Sequence, residues 1–339
     1  MDVTIKHQGK QNSKIRQISV NDKILITPTY FPSISSAEIR ADMEWLTNFM
    51  IDEEYPRLLV SSYDIAKLSI SQQNLLIKKL DTYSANGGFL MIDSGEFERY
   101  YSHSKIWTKE QYVQIINKMS SDFFFGFDRI PDLETKTIEI KNEITDSISI
   151  SNSLIMNNHC FTILHGRDLD EIRDITKFVI DKYSDLKFIA ITDRECGKTL
   201  QDQYRTITMI RQICNDSKKD IIIHVLGCGN PLSMTVLSYA GADSFDAVDW
   251  SRWILDNKTW QCSNLSHVKL LECSCLACSS EKITDEKIRA YQHNLIFYQD
   301  FITRLQNAIS KDYDLISFLK SENLDQNVIE ILANSFKVN

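Results

Sequence analysis

Apolar residues along this chain fall into short unbroken runs, and between the runs they recur at intervals of three and four. The runs are KILITPTYF (23–31), RLLVSSYDI (57–65), GGFLMIDSG (87–95), DFFFGFD (122–128), HCFTILHG (159–166), LKFIAITD (186–193), DIIIHVLGCG (220–229) and DSFDAVDW (243–250). Such a run predicts a strand covered on both faces, as in a parallel sheet. The stretches SAEIRADMEWLTNFM (36–50), TKEQYVQIINKM (108–119), LDEIRDITKFVIDKY (169–183) and LQDQYRTITMIRQIC (200–214) have helical spacing instead. Eight strands with helices between them predict an α/β fold, a (β/α)8 TIM barrel. An open doubly wound sheet is the rival, but no GxGxxG follows the first run to favour it.

A barrel gathers its chemistry at the C-terminal ends of its strands. The polar residues that close these runs are Asp93, Asp128, His165, Asp193, the GCG turn at 227–229, and Asp246. Each alone is an ordinary turn residue or helix cap. Converging on one mouth, they point to an active site.

Composition changes this picture little. Of 339 residues 43% are hydrophobic and 25% charged, and no apolar run is long enough to span a bilayer. The N-terminus MDVTIKHQGK lacks an apolar signal core, so the chain reads as soluble and cytoplasmic. A net charge of −8 argues against indiscriminate nucleic-acid binding, without excluding a local basic surface.

Cysteine placement carries more. Five of the eight are scattered, whereas Cys273, Cys275 and Cys278 form C-x-C-x-x-C. That spacing lets three thiolates share one tetrahedral ion. His293 is the best fourth ligand and His267 the rival; TDEKIRAY reads as the start of a helix that brings His293 back to the thiols. A closed set of this kind suits structural zinc. The expected organisation is an N-terminal extension (1–22), a barrel domain (23–260), a zinc-binding subdomain with its closing helix (261–310) and a helical tail (311–339).

The C-x-C-x-x-C with HNL after it, MIDSGEF, FGFDRIP, TILHG, VLGCGNP and GADSFDAV stand in one order, most of them at expected strand ends. In this the chain resembles the tRNA-guanine transglycosylase superfamily over residues 88–296. The resemblance implies exchange of a guanine in nucleic acid for a 7-deazaguanine base through a covalent aspartyl-glycosyl intermediate. By match to GxDxFD it makes Asp246 the nucleophile, with Asp243 the competing carboxylate. It makes Asp93 the general acid/base and Asp128 the reader of the purine edge. His165 stands where the family has glutamine and is expected to donate to the purine O6. Phe97 would stack on the base, with Leu226 and Gly227 on the other face.

Departures bear on the substrate. AITDRECG replaces the family's GGL segment, with Glu195 a candidate for its role, and Glu96 replaces a glycine of DSGGF. The PTR-type segment of bacterial tRNA enzymes is replaced by DAVDWSRW, and the cysteine-to-histidine interval is short. These features favour the DpdA-like branch that inserts preQ0-like bases into DNA, with tRNA the alternative polymer; Trp250 and Arg252 of WSRW are candidate nucleic-acid contacts, with helix core following the last strand the other reading of that segment. The resemblance also admits a homodimer, accessory modification proteins, or a non-catalytic subunit of such an enzyme. A barrel hydrolase using Asp93 and Asp246 is the reading from outside the family.

Overall fold

The computed structural model describes residues 2–37, 42–103, 106–154 and 159–336. The chain opens with an antiparallel sheet of β1 (Asp2–Gln8), β2 (Lys14–Val20) and β3 (Lys23–Thr27). Asn21 and Asp22, both at positive φ, join β2 to β3 and pair Val20 with Lys23. A two-residue hairpin loop needs that backbone to match the strand twist, and Asn and Asp tolerate it.

Eight parallel strands then close into a barrel. They are β4 (Thr29–Ile34), β5 (Arg57–Ser61), β6 (Phe89–Asp93), β7 (Phe123–Phe125), β8 (Cys160–Leu164), β9 (Phe188–Thr192), β10 (Ile222–Leu226) and β11 (Ser244–Ala247). Closure is made by β11 against β4, with Asp246 opposite Phe31. The expected first strand at 23–31 is corrected. Lys23–Thr27 belongs to the N-terminal sheet, and the barrel strand starts beyond Pro28, which lacks the N–H a continuous ladder requires.

Alternation along each strand sorts the side chains. Leu90, Ile92, Ile189 and Ile223 join the large cluster packed against the helices, whereas Phe89, Met91, Phe123, Phe125, Phe161, Ile163, Phe188 and Ile222 form a second cluster with Ile18, Val20 and Leu25 of the N-terminal sheet. The second cluster fills the barrel and seals its lower end. Continuing the two-residue period upward puts Ser33, Asp93, His165, Thr192, His224, Leu226 and Asp246 on the inward face. The interior is aromatic at its base and polar at its mouth.

The expected helices appear at Met43–Asp52, Lys109–Ile116, Leu169–Lys182 and Leu200–Asp216; residues 38–41 of the first lie outside the described residues. Beyond the barrel, β12 (Trp253–Leu255) and β13 (Cys262–Asn264) form an antiparallel pair, and a 25-residue helix, Glu286–Ser310, returns along the barrel. Asp285 caps that helix by accepting from the N–H groups of Lys287 and Ile288. Tyr298 stacks on Tyr30 with ring centroids 4.2 Å apart and donates to the Gly229 carbonyl at 2.9 Å. Two short helices, Leu315–Ser321 and Gln326–Ser335, make up the tail.

Candidate active site

At the mouth, Asp246 receives three hydrogen bonds. Its Oδ1 accepts from His224 Nε2 at 3.0 Å and from the Gly227 N–H at 3.2 Å, and its Oδ2 accepts from the Ser33 hydroxyl. The donors come from β10, the turn that follows it, and β4, the two strands flanking β11. Gly227 sits at φ +76°, a backbone that favours glycine and turns its N–H onto the carboxylate. His224 was not expected. Sequence reading passed over it because it lies inside an apolar run.

Asp243 is a different carboxylate. It precedes β11 at the closed end, buried between the guanidinium groups of Arg16 and Arg211, and it accepts from the Ile223 N–H at 2.8 Å. Its oxygens are committed to the frame and are remote from the mouth.

Asp93 ends β6, where its Oδ2 accepts from the Gly95 N–H at 3.0 Å. Burial pushes its carboxyl well above the usual carboxylate range, reinforced by the negative charges of Glu98, Asp128 and Asp246. Its protonated form is therefore favoured, within the field of Asp246. Glu98, in the short helix Glu96–Tyr101 that follows β6, is itself pushed up to about 7 by burial and by Asp64.

Asp128 and Glu195 hold His165 between them. Its Nε2 lies 2.9 Å from Asp128 Oδ2 and its Nδ1 lies 2.9 Å from Glu195 Oε1. Burial opposes charge on the ring, but Glu195 and Asp128 outweigh it and hold the pKa well above that of free imidazole. Both ring nitrogens are thus engaged by carboxylates, so donation from His165 to a purine O6 requires one of these contacts to be released. The other oxygen of Asp128, Oδ1, is buried without a hydrogen-bond partner, an acceptor left unsatisfied at the mouth. Glu195 also accepts from the Thr192 hydroxyl at 2.7 Å, which fixes the segment after β9.

Glu96, the substitution beside Asp93, is buried and paired with Arg99 and Arg129; it also accepts from the Ile130 N–H at 3.0 Å. Its charge is compensated. Phe97 is half-buried, 4.6 Å between centroids from Tyr101, and the Arg194 guanidinium lies over both rings. Leu226 is half-buried against the barrel interior, next to Gly227 at the mouth.

Trp250 corrects another expectation. It is fully buried, donates from its indole N–H to the Ser33 carbonyl at 2.9 Å and packs on Phe49 and Tyr291. It is core and unavailable to a nucleic acid. Arg252 is half-buried with its guanidinium over Trp253, which is 40% exposed.

The sulfur atoms of Cys273, Cys275 and Cys278 and a ring nitrogen of His293 all lie within 4.8 Å of one another, a set able to hold a metal ion. His293 Nδ1 is 3.5 Å from Cys275 Sγ and 3.3 Å from Cys278 Sγ. An ideal tetrahedral zinc site separates sulfur and nitrogen ligands by about 3.5 Å, so the donors fit. The other ring nitrogen, Nε2, donates to the Leu255 carbonyl at 2.8 Å, which leaves Nδ1 unprotonated for an ion. His267 is exposed and outside the cluster. Asn294 donates to the carbonyls of Trp250 and Trp253 and accepts from the Leu255 N–H, so the His293–Asn294 pair ties the cysteine knuckle to the segment that follows β11. Arg289 closes the knuckle by donating to the carbonyls of Ala277, Cys278, Ser280 and Ile283.

Residues 10–321 match the family described as Queuine tRNA-ribosyltransferase. The chain belongs to that family. Two of its relatives are archaeal proteins named tRNA-guanine(15) transglycosylase. The one from Methanopyrus kandleri is 20% identical over 314 residues, covering 87% of this chain and 66% of its own length. The one from Methanococcus vannielii is 29% identical over 107 residues, covering 27% of this chain and 16% of its own length. The chain therefore spans less than two thirds of either relative. No helix among the described residues is long and apolar enough to cross a membrane.

Proposed function

We propose that the protein is a glycosyltransferase that exchanges a guanine in nucleic acid for a 7-deazaguanine base, with Asp246 as nucleophile and Asp93 as acid and base. The observation that carries this reading is the pairing of two unlike carboxyls at one mouth. Asp246 presents oxygens held by Ser33, His224 and Gly227, while burial and the neighbouring carboxylates favour the protonated form of Asp93. One carboxylate can bond an anomeric carbon and the other can protonate the departing purine, the division of labour of a retaining glycosidase.

Asp128 Oδ1 accepts from the Watson–Crick edge of the purine, and the His165–Glu195 pair keeps that oxygen turned inward. Phe97 and Leu226 offer the apolar faces for the ring. The target nucleotide enters turned out of its stack, and base stacking with edge recognition offsets an unstacking cost of a few kcal/mol. Cys273, Cys275, Cys278 and His293 hold a structural zinc that fixes the segment after β11.

The names of both relatives support tRNA as the polymer. The DNA reading loses Trp250 to the core and retains Arg252 and the exposed Trp253. Labelled guanine or preQ0, offered with tRNA and with duplex DNA in separate reactions, tests the proposal. Label should enter one polymer and be lost with Asp246→Ala. Absence of label from both would contradict it.

A further inference from the structure

His224 is wholly buried, with its ring between Phe125 and Phe161 at centroid distances of 5.0 and 5.5 Å. Strand register places it opposite Ser244, whose hydroxyl lies 2.8 Å from Nδ1, while Nε2 lies 3.0 Å from Asp246 Oδ1. A carboxylate only accepts, so Nε2 carries the proton that faces Asp246, and Nδ1 is hydrogen-bonded to the Ser244 hydroxyl. The donors to Asp246 are unequally shared. Oδ1 takes two, from His224 and Gly227, and Oδ2 takes one, from Ser33. Each carboxylate oxygen has two lone pairs, so Oδ1 is saturated and Oδ2 retains one.

We infer that His224 is the positioning residue that makes Asp246 a reversible nucleophile, holding Oδ1 so that Oδ2 alone bonds the sugar. The inference rests on the transglycosylase reading above. In the forward step an Oδ2 lone pair forms the C1′–Oδ2 bond, and the C1′–N9 pair leaves with the purine, which takes the Asp93 proton. The resulting ester has Oδ1 as its carbonyl, still hydrogen-bonded to His224 and Gly227. In the return step N9 of the incoming base bonds C1′ and passes its proton to Asp93, and the C1′–Oδ2 pair returns to the carboxylate. Negative charge then reappears on Oδ1, where a hydrogen bond to a charged acceptor is stronger than one to an ester carbonyl. His224 therefore favours the free carboxylate over the ester and prevents the adduct from becoming a dead end.

His224→Phe keeps an aromatic ring between Phe125 and Phe161 and removes the donor. Formation of the covalent adduct and its discharge by incoming base are measured separately, with folding checked by circular dichroism. The adduct-to-free ratio should rise on the order of tenfold or more, with discharge slowed relative to formation, and His224→Gln should restore part of the ratio. Equal slowing of both half-reactions at an unchanged ratio would overturn the inference, because a merely structural residue behaves that way. Ring 15N spectra of histidine-labelled protein provide a readout independent of activity. They should show a proton on His224 Nε2, perturbed in Asp246→Asn; an unprotonated Nε2 would overturn the assignment. If the unmutated protein forms no adduct with any nucleic acid, the transglycosylase reading fails, and the spectra still decide the pairing.

Discussion

Asp243 and Asp246 lie three positions apart, one just before the short strand β11 and the other near its far end, and they meet opposite partners. Asp243 is enclosed by Arg16 and Arg211 at the sealed end, whereas Asp246 takes hydrogen bonds from Ser33, His224 and Gly227 at the open end. Strand polarity separates the two roles: one aspartate ties β11 to the N-terminal sheet and to helix Leu200–Asp216, and the other faces the ligand.

Replacing either aspartate should therefore fail differently. Asp243→Asn leaves two buried guanidinium groups poorly compensated and should cost about 3–5 kcal/mol of stability. Chemical denaturation measures that loss. Asp246→Asn should unfold close to the unmutated midpoint, yet be inactive in base exchange.

Glu98 gives a pH signature. Its folded pKa of about 7 lies above the ordinary 4.5, so folding retains a proton that the unfolded chain releases. Stability is then lost as pH rises from about 4.5 through 7. Glu98→Gln should flatten that decline, which denaturation midpoints across the range would show. Losing the Glu98 charge should also lower the Asp93 pKa and move the alkaline limb of the exchange profile to lower pH.

The clamp on Asp128 predicts a specificity effect. His165→Ala removes two charge-assisted hydrogen bonds and frees Asp128 to turn. The KM for the incoming base should rise about tenfold or more, since such a bond is worth roughly 1.5–3 kcal/mol. Steady-state kinetics with varied base would check this, and unchanged KM would place His165 outside base recognition.

Metal removal should act at a distance. Elemental analysis should find one zinc per chain. Cys275→Ser or chelation should lower Tm and slow exchange, because His293 and Asn294 hold the carbonyls of Leu255, Trp250 and Trp253 beyond the nucleophile strand. Hydrogen exchange should show the loosening at 250–255.

Much of this was legible in the sequence because it follows from local spacing. The eight apolar runs, Asp93 and Asp246 at strand ends, and the thiols of Cys273, Cys275 and Cys278 need only neighbours in the chain. What escaped depends on registry between distant segments. Arg16 meets Asp243 across more than two hundred residues, and no local pattern announces the pair. His224 looked like a core residue, although it shares the inward parity of Ile222 and Leu226 and could have been read from that. Trp250 looked like a surface contact because it follows a strand end; the helix Glu286–Ser310 that carries Tyr291 covers it. Lys23–Thr27 merged with the next strand because apolar residues continue on both sides of Pro28.

The most direct test is to find which side chain carries the sugar. The protein is incubated with its nucleic acid in the absence of incoming base, quenched by denaturation, digested and mapped by mass spectrometry. A nucleotide-derived mass attached to Asp246, absent from Asp246→Ala and discharged when base is added first, is the predicted result. Attachment to Asp93, or release of guanine with no bond to the protein at any time point, would contradict the account.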